Sequence, residues 1–95
     1  MKLTDIFAQK EEIKRIAKEH GASNVRVFGS VVRCEATLGS DVDILIDLEK
    51  GRSFLDRATI QLELEQVLGC KVDVVSERGL RDRIRERVLK EAQPL

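Results

Sequence analysis

The sequence has no tryptophan, no tyrosine and only three phenylalanines, with one proline, one histidine and two cysteines. Without aromatic platforms there is little for unpaired bases to stack on, so strong nucleic-acid binding of that kind is not expected. The chain also offers no tyrosine hydroxyl of its own for modification. Net charge is missing too: 17 Lys and Arg offset 17 Asp and Glu, whereas a polyanion-coating protein normally carries a basic excess. Cys34 and Cys70 stand in no Cys-x-x-Cys or Cys/His spacing and His20 is alone. A zinc centre is therefore not expected, and a reducing, cytoplasmic compartment is. Apolar runs are short, and Met1-Lys2-Leu3-Thr4-Asp5 leads into none. Neither a signal peptide nor a membrane span is expected.

What is present suits one small domain over residues 1–95, with 42% hydrophobic and 36% charged residues. Residues 4–20 read as an amphipathic helix, with Leu3, Ile6, Phe7, Ile13 and Ala17 in one stripe at helical spacing, Thr4 as N-cap and Gly21 as stop. His20 falls in the last turn, where it complements the helix dipole at the surface. Asn24–Phe28 alternates and reads as a strand, as does Asp41–Leu48, with residues 31–39 between them as a short helical turn or loop. Ser53 caps a helix running to about Leu68 and ended by Gly69. Its main stripe is Ile60, Leu64, Val67 and Leu68. Leu55, Ala58 and Leu62 form a second stripe, to be covered by another element or used for docking. Lys71–Val75 is a third strand, and residues 80–92 a last helix with Leu80, Ile84 and Val88 aligned, ended by Pro94. The order α-β-α-β-α-β-α predicts an α/β sandwich on about three strands. Six basic residues crowd the last helix region (Arg78, Arg81, Arg83, Arg85, Arg87 and Lys90). They read as a solvated face with local pairs, or as a contact for a partner or a phosphate.

Asp41 and Asp43 are two apart on a strand, so both carboxylates project from one face. Such a pair shifts its protonation equilibria unless a cation neutralises it. Hard oxygen donors of this kind suit Mg²⁺. Asp73 lies between Val72 and Val74, where a charge needs a partner. If the second and third strands are neighbours, Asp73 joins the pair in a cluster able to hold two ions. Gly29-Ser30 ends the first strand before a turn, a place where backbone N–H groups and a hydroxyl can hold an anion, and Arg33 follows on the same turn.

Gly29-Ser30-x-x-Arg33 followed by Ser40-Asp41-x-Asp43, together with Lys71-Val72-Asp73-Val74-Val75, resembles the signature of the polymerase-β-like nucleotidyltransferase superfamily. Chain length and the later aspartate look like its minimal nucleotidyltransferase branch, and the resemblance spans nearly the whole chain. It implies that Gly29 and Ser30 hold the β- and γ-phosphates of a nucleoside triphosphate. It further implies that Asp41 and Asp43 ligate two Mg²⁺ ions, and that Asp73 completes the metal site and helps to deprotonate the acceptor. Arg33 and Ser40 would support the phosphate loop and the acid pair.

In this branch the resemblance implies an antitoxin that transfers AMP from ATP to a tyrosine of a HEPN-domain ribonuclease toxin, with which it forms a hetero-oligomer. The alternatives are a non-catalytic module acting by occlusion and a stand-alone transferase for a small molecule or RNA end. Two departures stand out: Val32 where the branch usually has a small residue, and Cys34 where it has glycine. If that glycine takes positive φ, Cys34 strains the turn. Both cysteines are otherwise expected to be small buried thiols.

Overall fold

Alternation gives β1 (Ala22–Phe28) a buried apolar face at Val25 and Val27, and β2 (Val42–Leu48) a longer one at Val42, Ile44 and Ile46. β3 (Val72–Ser76) adds Val72 and Val74. Three helices close over this face: α1 (Leu3–Ala8), α2 (Lys10–Glu19) and α3 (Phe54–Leu68). Their Ile6, Ile13, Ile16, Ile60 and Leu64 are almost completely buried. Each such side chain contributes about 1.5–3 kcal/mol on burial. The computed structural model describes residues 2–37 and 39–95.

The other face of the sheet is covered at its centre by α4 (Asp82–Glu91), which follows a 3₁₀ turn at Glu77–Gly79. Leu45, Leu80 and Val88 form a second, smaller core there, with Phe28, Val75 and Ala92 packed against it. β2 is thus buried on both sides, which is why Ile44-Leu45-Ile46 is apolar without a break. Further along this face the buried Arg26 guanidinium pairs with Asp47 (2.9 Å) and Glu77 (3.4 Å).

The sheet is mixed, in the order β3-β2-β1-β4. β1 and β2 are antiparallel, whereas β2 and β3 are parallel, with α3 in the crossover between them. The α/β class is as expected from sequence, but there are four strands rather than three. β4 (Gln93–Pro94) pairs antiparallel with Arg26 and Val27 of β1. A two-residue strand has no periodicity to detect, and its proline is tolerated because the position is an edge.

Three other expectations are corrected. The helix over residues 4–20 is two helices, with Gln9 at φ −104°, ψ 12° between them. Neither glycine nor proline marks the break. The cap is not Thr4: the backbone N–H of Lys2 donates to Asp5 Oδ2 (2.8 Å), one residue pair earlier. Residues 31–39 are a hydrogen-bonded turn and loop, one of the two forms expected, Leu38 lying outside the described residues, so the α assigned to them in the expected order is not a helix. The observed order is therefore α-α-β-β-α-β-α-β.

α3 follows its sequence signals. Ser53 Oγ accepts from the Leu55 N–H (3.2 Å), Asp56 returns the bond to the Ser53 N–H (3.0 Å), and Gly69 ends the helix at φ 69°. Its second stripe stays open: Leu55 and Leu62 are 73% and 62% exposed. Its third row of side chains serves β3. Glu65 accepts from the Val72 N–H (3.1 Å), Gln61 accepts from the Val74 N–H (3.2 Å), and Arg57 donates to the Val74 carbonyl (2.9 Å). The outer edge of the sheet is thereby closed to further strand pairing.

Candidate active site

The uncovered end of the α4 face brings Asp43 and Asp73 together beside the glycine-serine turn, although the carboxylates of Asp41, Asp43 and Asp73 do not all lie within 4.8 Å of one another. Asp43 alternates with Leu45, and Asp73 with Val75, so both carboxylates emerge on the face that α4 covers only at its centre. Parallel pairing sets Asp43 directly opposite Asp73. Asp41 stands just ahead of β2, on the same side of the chain as Asp43, and is exposed, as is Asp73. Asp43 is half-buried. Loss of water, then the charges of Asp73 and Asp41, push its carboxyl up to about 6.

The glycine-serine turn abuts this cluster. Phe28 is opposite Asp43 in the β1–β2 register, and Gly29 follows at φ 83°. A Cβ at Gly29 would collide with Asp43 Oδ2. Glycine is therefore needed twice over, for its backbone angle and for this approach. The Gly29 carbonyl accepts from the N–H groups of Val32 (3.1 Å) and Arg33 (3.2 Å), and the Ser30 carbonyl from Glu35 (2.8 Å). Among the described residues the N–H groups of Ser30 and Val31 make no backbone hydrogen bond, so the opening of the turn presents donors as the start of a helix does.

Arg33 and Ser40 sit in supporting positions. The Arg33 guanidinium bonds to Glu91 (2.7 Å) and Glu35 (3.1 Å), rather than standing free for a ligand. Ser40 Oγ accepts from the Thr37 N–H (2.9 Å), and its own N–H donates to the Thr37 carbonyl (3.0 Å), closing the loop immediately before Asp41. Cys34 takes φ 59°, the left-handed conformation that favours glycine. The thiol is exposed, not buried as expected from its size, because the turn lies on the surface. Cys70 is half-buried, and burial pushes its thiol up.

One residue of the site had no motif to announce it. Glu91, in the last turn of α4, accepts from the Gly29 N–H (2.7 Å) while also binding Arg33. A carboxylate in the last turn opposes the helix dipole. That local misfit is the one signal in the sequence that a tertiary partner holds it.

The aspartates fit a divalent cation by their chemistry: all donors are hard oxygens, and burial followed by the neighbouring carboxylates makes Asp43 hold a proton more tightly than an isolated carboxyl does. Mg²⁺ needs only one or two protein carboxylates, taking water and phosphate oxygens for the rest. Among the described residues a different group, Glu19, His20 and Glu63, has three ligand atoms within 4.8 Å of one another. There His20 Nε2 pairs with Glu63 of α3 (2.5 Å), so this histidine ties two helices together and is half-buried, not a free surface residue.

Comparison with known proteins agrees with this architecture. The family described as the nucleotidyltransferase domain matches residues 9–95. The protein adenylyltransferase MntA of Thermococcus cleftensis is 41% identical over 86 residues, which are 90% of this chain and 84% of the relative. A solved structure described as a minimal nucleotidyltransferase superposes with a TM-score of 0.88 at 52% identity, over 100% of this chain and 97% of the other. A chain from the complex of a tri-AMPylated Shewanella oneidensis HEPN toxin with an MNT antitoxin superposes with a TM-score of 0.71 at 17% identity. It matches over 93% of this chain and 69% of its own length, and so shares the fold.

Proposed function

The chain belongs to the nucleotidyltransferase-domain family, and from that premise we propose that it is a Mg²⁺-dependent protein adenylyltransferase. Its acceptor in this reading is a tyrosine hydroxyl of a HEPN-domain ribonuclease toxin, which it binds as an antitoxin and silences. The observation that carries the proposal is the placement of Asp43 beside Asp73, with Gly29 in contact with Asp43. It puts an acid cluster and an anion-accepting turn within one residue's reach, as transfer of a nucleotide requires. The relative named MntA and the AMPylated toxin complex support AMP as the group moved and a HEPN protein as the acceptor. The absence of tyrosine from this chain requires that a tyrosine acceptor come from a partner.

In this mechanism the turn at Gly29 and Ser30 binds the β- and γ-phosphates of ATP through backbone N–H groups and the Ser30 hydroxyl. Asp41, Asp43 and Asp73 would hold two Mg²⁺ ions. Bound there, the ions supply charge neutralisation at the α-phosphate and ease ionisation of the attacking hydroxyl. Asp73 takes the proton of the acceptor hydroxyl as its oxygen bonds to the α-phosphorus. The bond from that phosphorus to the bridging oxygen breaks, and pyrophosphate leaves from the turn. Arg33 and Ser40 keep turn and loop in place, so that positioning and charge stabilisation account for the rate. No helix among the described residues is long and apolar enough to cross a membrane. An ATP-consuming reaction of this kind belongs in the cytoplasm.

The test is incubation with labelled ATP, Mg²⁺ and the HEPN partner, beside an Asp41→Asn/Asp43→Asn double variant. Label on the partner that disappears with the variant supports transfer. Inhibition of the partner without label, equal in the variant, would replace it with occlusion.

A further inference from the structure

We propose that Glu91 is the positioning residue of the nucleotide turn, a clamp reaching from α4 that holds the turn at both ends in the shape that receives the triphosphate. The inference rests on the reading of the turn that begins at Gly29 and Ser30 as the phosphate site. Glu91 Oε2 accepts from the Gly29 N–H and Oε1 accepts from Arg33 Nη1, each at 2.7 Å. One carboxylate thus grips the first residue of the turn through its backbone and a residue one helical turn later through its side chain. The Glu91 side chain is 12% exposed, against 40% for Arg33. Burial alone would push the carboxyl up, but the hydrogen bonds from Arg33 and Gly29 outweigh it and hold it ionised.

The clamp is built on a fixed support. α4 is anchored by Val88, and the segment leading into it by Leu80, both against Leu45, and the chain passes from Glu91 through Ala92 into β4, which pairs with β1. A charge placed against the helix dipole and kept from water is costly unless tertiary bonds compensate, and both of its bonds go to this turn. With Gly29 and Arg33 occupied, the N–H groups of Ser30 and Val31 are the donors left at the opening of the turn. Glu91 is itself an anion, so it does not bind phosphate. It acts through the residues it holds, and it keeps Arg33 from folding across the donors. Bonds that orient the ligands of metal sites are typically worth 10–100-fold in affinity or activity, and the same scale is expected for this turn.

The opposite role, a carboxylate plug that ATP must displace, makes the opposite prediction, so the sign of one measurement decides. Calorimetric titration with Mg²⁺ and a non-hydrolysable ATP analogue is carried out on wild type, Glu91→Ala, Glu91→Gln and Arg33→Met. Glu91→Ala is expected to weaken binding 10–100-fold. Glu91→Gln, which keeps an acceptor for the Gly29 N–H, is expected to recover part of it. Glu91→Ala and Arg33→Met together should lose less than the product of their separate losses. Amide exchange at Gly29 in the nucleotide-free protein gives a second readout, protected in wild type and Glu91→Gln and fast in Glu91→Ala. It also serves if the alanine variant folds poorly, since the glutamine variant alone must then retain protection while binding more weakly. A purely structural role would lower the unfolding midpoint and leave the affinity of the folded protein unchanged. Unchanged or tighter binding in Glu91→Ala overturns the clamp while leaving the nucleotide site standing. Wild type that fails to bind the analogue overturns the nucleotide site, and the clamp with it.

Discussion

Gly29 and Asp43 touch across the β1–β2 pair, so closely that any side chain at the first would displace the carboxylate of the second. The turn and the acid pair proposed to hold phosphate and metal are therefore one mechanical unit. Gly29→Ala must both abandon φ 83° and push Asp43 aside. The backbone strain alone is about 1–3 kcal/mol, and a displacement near 1 Å at the acid cluster costs on the order of 100-fold in rate. Transfer should fall by at least that factor, with a lowered unfolding midpoint. Wild-type activity in this variant would mean that the turn and the acid pair are not coupled.

α3 protects β3 by supplying side-chain acceptors in place of a neighbouring strand. In a Gln61→Leu/Glu65→Leu double variant the N–H groups of Val72 and Val74 lose those acceptors. Each lost bond costs about 0.5–1.5 kcal/mol net, and the exposed edge invites pairing with another chain. Chemical denaturation should show the loss, and light scattering should show concentration-dependent association absent from wild type.

Cys34 occupies the left-handed region at φ 59°. For a non-glycine residue that conformation costs about 1–2 kcal/mol, and glycine gives back about 0.4–1 kcal/mol through the freedom of its unfolded chain. Cys34→Gly should therefore stabilise the protein by up to about 1.5 kcal/mol, a rise of a few degrees in Tm for a domain of this size. Differential scanning calorimetry checks it. An unchanged or lower Tm would show that the turn has already relaxed around the cysteine.

The features legible in the sequence are those written in local chemistry. Ser53 and Gly69 bracket α3 to the residue, because a cap and a left-handed stop act within one turn. The alternation of Asp41, Val42, Asp43 and Ile44 placed the acids on one side of β2. What escaped depends on partners distant in the chain. β4 is a strand only because β1 offers an edge, α1 and α2 separate at a glutamine with no local reason, and Glu91 joins the site through residues far earlier in the sequence. The misplaced cap at Thr4 is a smaller case: Asp5 bonds back to Lys2, and the acid at the third helical position, not the threonine, sets the start.

Asp43 links the site to stability, with a sign that can be worked out. Its carboxyl titrates near pH 6 in the folded protein because burial and the charges of Asp73 and Asp41 disfavour its ionised form, whereas in the unfolded chain an aspartate titrates near 3.9. Between those values the folded state binds more proton than the unfolded state, so stability rises as pH falls from about 6 to about 4. Above pH 6 the folded protein carries the whole penalty of the ionised group. Asp43→Asn removes that penalty. In EDTA the variant should have a higher urea midpoint than wild type at pH 8, and the advantage should shrink to nothing near pH 4. Adding Mg²⁺ at pH 8 should raise the wild-type midpoint, since an ion that binds only the folded state stabilises it, and should do little for the variant. An advantage independent of pH would assign it to something other than charge. A variant less stable than wild type in EDTA at pH 8 would show that the three aspartates are held together by more than the fold around them.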